Sequence, residues 1–223
     1  MTLEIDTIAM PFVFGASVNC YLVRTSQGFV LIDTGMTNKG GKIEKELGSK
    51  GCLPENLQLI ILTHGDFDHC GNAGYLRKKF STQVAMYKDD SGMVERGDMT
   101  WNRNKQNIFI RIIFRLFFRL GKSDRFEPDL YVDDGYDFSK YGFEAKVLHI
   151  PGHSKGSIGI LTVEGDLFCG DLLANVDKPE IGGIIDDTVA LHASLEKLKR
   201  LQVNTVYPGH GKPFPMELFL KNR

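Results

Sequence analysis

The sequence predicts a layered α/β domain, and three observations support this prediction. Short apolar runs typical of strands come in two sets, and a helical pattern accompanies each set. The chain has 223 residues, 42% of them hydrophobic, which is enough for one sizeable core. Polar residues also follow several of the apolar runs directly, which is where α/β sheets place their functional sites.

The first set of elements precedes residue 88. Helix 39–50 is predicted from Ile43 and Leu47, which lie on one face, and from Gly51, which ends it. Another helix is predicted at 72–80. The strands of this set are predicted at 3–8, 18–24, 28–33, 57–62 and 83–87.

The second set follows residue 128. A helix is predicted at 188–201 from the spacing of Leu191, Leu195 and Leu198. The strands of this set are predicted at 129–133, 144–150, 157–163, 166–170 and 203–207. Residues 89–128 interrupt the pattern with a basic and aromatic composition. We interpret them as an insertion within a single domain, 1–223, and not as a second domain.

Composition excludes several classes of protein. The formal net charge is −1, so no charge bias indicates a nucleic-acid partner. The N-terminus has no signal-peptide pattern, and no stretch has the roughly 18 apolar residues of a spanning helix. The four cysteines are far apart and form no C-x-x-C pair, which favours reduced thiols and a cytoplasmic location.

Potential metal ligands cluster after four apolar strands. The segment from Thr63 to Gly71 follows the strand 57–62 and holds His64, Asp66, Asp68 and His69. Three single residues lie in similar contexts, namely His153, Asp171 and His210. Imidazole and carboxylate are both ligands of divalent metals, so this pattern indicates a metal site.

These residues resemble the motifs of the metallo-β-lactamase superfamily. The family pattern is H-x-H-x-D-H, then a His, an Asp and a His, after an early Asp that closes a strand, here Asp33. The resemblance implies a four-layer αβ/βα sandwich and two divalent metal ions. It implies one site of His64, Asp66 and His153, and a second of Asp68, His69 and His210. Asp171 would bridge the two ions, and Asp33 would orient a ligand histidine.

One position departs from the family pattern, because Asp66 stands where the second motif histidine is expected. An aspartate can bind zinc, so the site is still possible. Three aspartates and a bridging hydroxide would make a centre of two divalent ions neutral. Zinc is the preferred assignment, while the extra oxygen ligand favours iron or manganese more than the family pattern would.

The resemblance implies a hydrolase that uses a metal-bridging hydroxide on an ester, lactone, amide, thioester or phosphodiester. No dedicated general acid is evident, and either Asp68 or a metal-bound water would be the catalytic proton carrier. Absence of an export signal and the change at Asp66 disfavour β-lactams. Glyoxalase-II-like hydrolysis is also disfavoured, because that group has a C-terminal helical domain and eight residues follow Pro215. The alternatives are a di-iron redox protein related to flavodiiron proteins and a non-catalytic metal-binding sensor.

Residues 105–122 read as an apolar helix with an arginine stripe at 111, 115 and 119. The apolar surface of such a helix needs burial, and three alternatives stay open. The helix could line the pocket of a hydrophobic small-molecule substrate, form a homodimer contact or, least favoured, lie on a peripheral membrane surface. His149 and His192 lie outside the motif pattern and are interpreted as structural. Cys70 and Cys169 are interpreted as apolar fillers near the site.

Overall fold

The computed structural model describes residues 3–11, 17–104, 112 and 119–221. Its first sheet has six strands in the order β1-β2-β3-β4-β5-β6. The pairs β1/β2 and β2/β3 are antiparallel, and the later pairs are parallel. These strands are β1 Glu4–Pro11, β2 Ser17–Thr25, β3 Gly28–Ile32, β4 Leu57–Ile61, β5 Gln83–Met86 and β6 Leu130–Tyr131.

The second main sheet has five strands in the order β13-β12-β9-β8-β7. Strands β9 and β12 are parallel, and the other neighbours are antiparallel. The strands are β7 Ala145–His149, β8 Ile158–Thr162, β9 Asp166–Gly170, β12 Thr205–Pro208 and β13 Phe214–Pro215. Between them in sequence, β10 Leu173–Ala174 and β11 Glu180–Ile181 form a separate two-stranded ribbon.

Side-chain alternation along the strands divides the core into three layers. Val30 and Ile32 of β3 point to a cluster that also contains Ile160 and Phe168 of the second sheet, so this cluster lies between the sheets. Leu31 points the other way, into a second cluster. With helices on both outer faces, this arrangement confirms the predicted four-layer αβ/βα sandwich.

Helices cover the two outer faces. On the first sheet, Ile43 and Leu47 of α1 Gly40–Ser49 and Leu76 of α3 Ala73–Phe80 join the cluster of Leu31. On the second sheet, Leu191, Leu195 and Leu198 of α5 Thr188–Lys199 pack in a third cluster with Leu167. Asp187 caps α5 by accepting a hydrogen bond from the backbone N–H of Ala190, at 2.9 Å.

Several elements were not predicted from the sequence. The short helix α2 Phe67–Cys70 holds Asp68 and His69, and α4 Lys88–Arg96 follows β5. Helix α6 Met216–Lys221 and a 3-10 turn at Ser139–Tyr141 also lie outside the predicted helices. Three of these four have six residues or fewer, which is too short for helical periodicity to stand out from the flanks.

The predicted helix 105–122 falls largely on residues outside the described ones, and its role stays a prediction, as does the treatment of 89–128 as an insertion. Described residues within 89–128 do join the body of the domain. Val94, Met99, Leu120 and Phe126 are buried in the same cluster as Leu31. Among the described residues, no helix is long and apolar enough to cross a membrane. The cytoplasmic location stays a prediction.

Candidate metal centre

The chain brings the seven predicted ligands together at one end of the two sheets. The segment with His64, Asp66, Asp68 and His69 follows β4, while His153, Asp171 and His210 follow β7, β9 and β12. Backbone hydrogen bonds join the sheets here: the N–H of Ile158 donates to the carbonyl of Thr63 at 2.9 Å, and that of Asn19 to the carbonyl of Gly209 at 2.8 Å. The ligand-bearing loops are therefore held against each other by the backbone.

The first group consists of His64, Asp66 and His153, all of them buried. Asp66 Oδ2 lies 3.8 Å from His64 Nε2 and 3.1 Å from His153 Nε2. Ligand atoms that share a metal at about 2.0–2.2 Å lie at comparable separations from each other. The carboxylate that replaces the family histidine therefore points into the same space as the two imidazoles.

The second group consists of Asp68, His69 and His210. Asp68 Oδ2 lies 3.7 Å from His69 Nε2 and 3.4 Å from His210 Nε2. The side chain of His210 is 19% exposed, whereas no side chain of the first group is more than 4% exposed, so the centre is more open at His210.

Asp171 lies between the two groups. Its Oδ1 is 3.2 Å from His69 Nε2 and its Oδ2 is 3.4 Å from His210 Nε2, and it also forms a third ligand-capable group with His64 and His69. Glycine is required at 209, because a Cβ there would lie 2.2 Å from Asp171 Oδ1. This placement suits the bridging role that the family resemblance implies.

Each of the four histidines is held through its Nδ1 atom. The oxygen partners are Thr63 Oγ1 for His64 (2.9 Å), Asp33 Oδ2 for His69 (2.9 Å), the Ile184 carbonyl for His153 (2.8 Å) and the Ser17 carbonyl for His210 (2.9 Å). A carbonyl or carboxylate partner makes Nδ1 the donor, and Thr63 Oγ1 donates to Asp33 Oδ2 and so accepts from His64. All four Nε2 atoms are thereby turned toward the centre, and the prediction that Asp33 orients a histidine of the motif is confirmed.

The donor set fits divalent metal ions. In the described part of the chain, His64 Nε2, His69 Nε2 and Asp171 Oδ1 are buried and have no hydrogen-bond partner. Buried polar atoms without partners are costly and rare, and metal coordination would satisfy these three. Three histidine-and-aspartate groups that share members can hold two ions, as the resemblance implies.

Burial and neighbouring charges shift the pKa values of the candidate ligands. Burial and the neighbouring His69 and His153 lower the pKa of His64, which keeps its imidazole neutral and able to bind a metal. Burial alone would raise the pKa of Asp171, but His69 and His210 hold it well below its usual range. The pKa of Asp66 is also lowered, because Arg103 and His153 outweigh its burial. The carboxylates of Asp66 and Asp171 are therefore ionised and available as ligands.

Asp90 of α4 is a buried residue at the site that the sequence did not single out. Its Oδ2 accepts from Ser154 Oγ at 2.6 Å and from the Gly65 backbone at 3.1 Å, and its Oδ1 accepts from the Gly156 backbone at 2.8 Å. One carboxylate thus joins the loop of His64 and Asp66 to the loop of His153. A signal was present in the sequence, since Asp90 shares a helical face with Met93 and Val94.

Arg103 is the second residue that sequence reasoning missed. Its Nη2 atom donates to Asp66 Oδ1 at 2.7 Å and lies 3.4 Å from His153 Nε2, and its side chain is 2% exposed. In the sequence, Arg103 lies within the basic segment 89–128 and belongs to no motif. The structure places the guanidinium of Arg103 in contact with the first ligand group.

The remaining candidates have structural partners. His149 stacks on Tyr87, with the ring centroids 4.2 Å apart, and its Nε2 contacts the Lys155 carbonyl at 2.8 Å. His192 is exposed on α5. Cys70 and Cys169 are buried free thiols, in agreement with their interpretation as fillers, and burial raises the pKa of Cys169 to about 12.

Comparison with known proteins adds to this geometry. A family model described as the metallo-beta-lactamase superfamily matches residues 13–210. The hydroxyacylglutathione hydrolase GloC of Haemophilus influenzae is 28% identical over 163 residues, which are 70% of this chain and 66% of GloC. The chain thus spans just under two thirds of the length of that relative. The acyl-coenzyme A thioesterase MBLAC2 of Homo sapiens is 27% identical over 221 residues, which are 91% of this chain and 76% of MBLAC2.

Among solved structures, the chain is similar to TTHA1623 in a di-iron-bound form. The TM-score is 0.74 at 26% sequence identity, and the match covers 97% of each chain. The B3 metallo-beta-lactamase BLEG-1 has a TM-score of 0.73 at 22% identity, with 98% of this chain and 97% of that chain covered, and shares the fold.

Proposed function

The chain belongs to the metallo-β-lactamase superfamily, and from this premise we propose that it is a metal-dependent hydrolase of acyl thioesters. The observation that carries the proposal is the arrangement of the four histidines, each held at Nδ1 so that its Nε2 lies beside one or two of the three aspartates. The thioester class comes from the relatives, because one acts on a hydroxyacylglutathione and another on an acyl-coenzyme A.

The relatives change the order in which the sequence ranks the substrate classes. From the sequence, glyoxalase-II-like thioester hydrolysis ranks behind other reactions, because proteins of that group have a C-terminal helical substrate domain. Two of the similar proteins are named for thioester hydrolysis, one with a glutathione and one with a coenzyme A leaving group. We therefore place the thioester first and the ester, lactone, amide and phosphodiester after it.

We assign His64, Asp66 and His153 to one metal ion, Asp68, His69 and His210 to the other, and Asp171 to both. Two divalent ions held there would supply Lewis-acid polarisation of the substrate carbonyl and a water of lowered pKa. Zinc is the first assignment, with iron and manganese as alternatives, and the di-iron-bound relative supports iron among them. The chain's own contribution is to fix the ligands through Asp33, Thr63, Ile184 and Ser17.

Asp68 is the residue that we assign as proton carrier. Its side chain is buried, and its Oδ2 lies 3.7 Å from His69 Nε2 and 3.4 Å from His210 Nε2. A thiol has an ordinary pKa of about 8.5, so a thiolate can leave without prior protonation, whereas an amine cannot. Thioester hydrolysis therefore makes a smaller demand on Asp68 than amide hydrolysis, which agrees with a site that has no separate acid assigned.

The proposal is tested by metal analysis followed by a substrate panel. Purified, never-chelated protein should contain close to two transition-metal ions per chain. With each metal restored in turn, it should hydrolyse a hydroxyacyl-glutathione or an acyl-coenzyme A faster than a lactone, a β-lactam or a phosphodiester. Protein without bound metal, or metal-loaded protein without thioesterase activity, would contradict the proposal. Iron that cycles between two oxidation states without hydrolysis would favour the redox alternative.

A further inference from the structure

Arg103 forms an internal ion pair in the middle of the first ligand group. Its Nη2 lies 2.7 Å from Asp66 Oδ1 and 3.4 Å from His153 Nε2, so it contacts two of the three residues assigned to that ion. Both partners of the pair are buried, with 2% and 4% of their side chains exposed. A buried pair of this kind has little access to solvent screening, and its charges act strongly on the site.

The backbone on both sides of Arg103 is tied to the site. Asn104 donates from its backbone to Asp186 Oδ1 at 2.8 Å and from its side chain to the Asp186 carbonyl at 2.9 Å. Asn102 donates from its side chain to the carbonyl of Asp89 at 3.0 Å. The loop of Asp186 also carries Ile184, whose carbonyl holds His153. Arg103 is therefore part of the built site and not a side chain that reaches it from a distance.

The two ligand groups differ in charge because of Arg103. In the first group, the positive guanidinium balances the negative charge of Asp66. In the second, the ion pairs that the described residues form with Asp68 and Asp171 are all made by histidines. A divalent ion entering the first group meets a guanidinium, which cannot act as a ligand, bound to its carboxylate, whereas the imidazoles that pair with Asp68 and Asp171 are themselves assigned ligands.

We propose that Arg103 acts as a competing cation that makes the His64–Asp66–His153 site the weaker of the two and the last to fill. This inference rests on the ligand assignment of the proposed function. Removing Arg103 has two effects with the same sign: the metal-free protein loses the partner of buried Asp66, and the metal-bound protein loses a repulsive charge. Both effects increase the affinity of the first site for a metal ion.

The test is a titration of metal-free protein with cobalt(II) or zinc(II) against a chromophoric chelator. Wild-type protein should bind one ion tightly and a second more weakly. In Arg103→Gln, the second step should tighten on the order of 10–100-fold, while the first step stays unchanged. Lys155→Gln is the matched control, since it removes one positive charge from a side chain that contacts exposed Asn102 and no assigned ligand.

Two further variants keep the result interpretable. Asp66→Asn in the Arg103→Gln background should abolish the second step, which assigns that step to the first site. Asn104→Ala keeps the arginine but removes the hydrogen bond from the exposed Asn104 side chain to the Asp186 carbonyl. The second step should then tighten to a smaller extent. This variant replaces Arg103→Gln as the test if Arg103→Gln does not fold. Thermal unfolding of each metal-free variant shows whether it is folded.

The outcomes separate this inference from the proposed function. A second step that is unchanged or weaker in Arg103→Gln and in Asn104→Ala would overturn the competing role and show that Arg103 instead supports Asp66 as a ligand. Failure of every folded protein, wild type included, to bind either ion would overturn the metal centre itself. Two steps that are equally tight in wild type would also overturn the inference, while leaving the two-metal assignment in place.

Discussion

Asp33 Oδ2 lies 2.9 Å from Nδ1 of His69, and the same carboxylate accepts from the backbone N–H and the hydroxyl of Thr63, each at 2.8 Å. Asp33 directly follows β3 and adopts a left-handed backbone with φ of +59°. One buried anion therefore serves three donors of the metal-binding segment that follows the neighbouring strand β4. It links the end of one strand to the orientation of a proposed ligand on the next.

Replacing Asp33 with Asn should destabilise both the fold and the metal site. Asn tolerates the left-handed backbone and matches the shape, so the change isolates the lost acceptor. Three donors would face one acceptor oxygen and one NH₂, and a mispaired buried group costs about 1–3 kcal/mol of unfolding free energy. Metal affinity should fall roughly 10–100-fold. Urea unfolding of metal-free protein and a chelator titration measure the two effects.

Asp6→Asn is the control for Asp33→Asn, because Asp6 pairs with Lys50 at a site about one third exposed. Its loss should cost at most about 1 kcal/mol and leave metal binding unchanged. If the two variants behave alike, Asp33 does not orient His69 in any way that matters for stability or for the metal.

Asp90→Ala should destabilise the metal-free protein by about 3 kcal/mol. The change leaves the backbone N–H groups of Gly65 and Gly156 and the hydroxyl of Ser154 without their common acceptor in a buried region. The neighbouring Asp89→Ala is the matched control, since Asp89 is an exposed residue in the first turn of the same helix and should cost about 0.5 kcal/mol. Equal losses in urea unfolding would show that Asp90 does not join the two loops.

The sequence predicted most strands of both sheets, but it missed β13 and grouped 129–133, which holds β6 of the first sheet, with the strands of the second. The candidate ligands could be found because each follows an apolar strand and that pattern is local. Asp33 could be assigned for the same reason. Asp90 could not, since its partners lie 25, 64 and 66 residues away in the chain and the contacts depend on how two loops meet. The role of Arg103 likewise depends on Asp66 and His153, which are 37 and 50 residues away.

The change at Asp66 shows a limit of counting charges from a motif. The sequence alone gave three aspartates against two divalent ions and hence a neutral centre once a hydroxide is included. The structure adds a buried arginine that pairs with Asp66. Together, Asp66 and Arg103 carry no net charge, as a neutral histidine at that position would, so the overall charge of the family pattern is restored by a residue outside the motif.

The four cysteines should be unreactive in the folded protein. All four are buried free thiols, and burial raises the pKa of Cys52 and of Cys169 to about 12. Only the thiolate reacts, so raising the pH to about 9, past the ordinary thiol pKa, should not produce labelling by an alkylating reagent. Mass spectrometry should find four labels after denaturation and none before. Rapid labelling of native Cys70 or Cys169 would mean that a thiol is open to the site.

The segment 105–122 supplies the last prediction, which comes from its sequence because residues 105–111 and 113–118 lie outside the described ones. An apolar stretch with arginines at every fourth position needs a cover, and we propose that it closes the pocket over an apolar acyl chain. Phe114→Ser with Phe117→Ser should then raise KM for long-chain thioesters severalfold, with little change for short-chain ones.

The matched control is Phe114→Leu with Phe117→Leu, which keeps the apolar character and should leave KM near the wild-type value. Light scattering and binding to anionic vesicles complete the test. If the serine variant releases monomers from a dimer with KM unchanged, the segment is a subunit contact. If it loses only vesicle binding, the segment is a membrane surface. A KM that rises equally for short and long chains would also contradict the pocket role, because an apolar cover contributes in proportion to the apolar area that it buries.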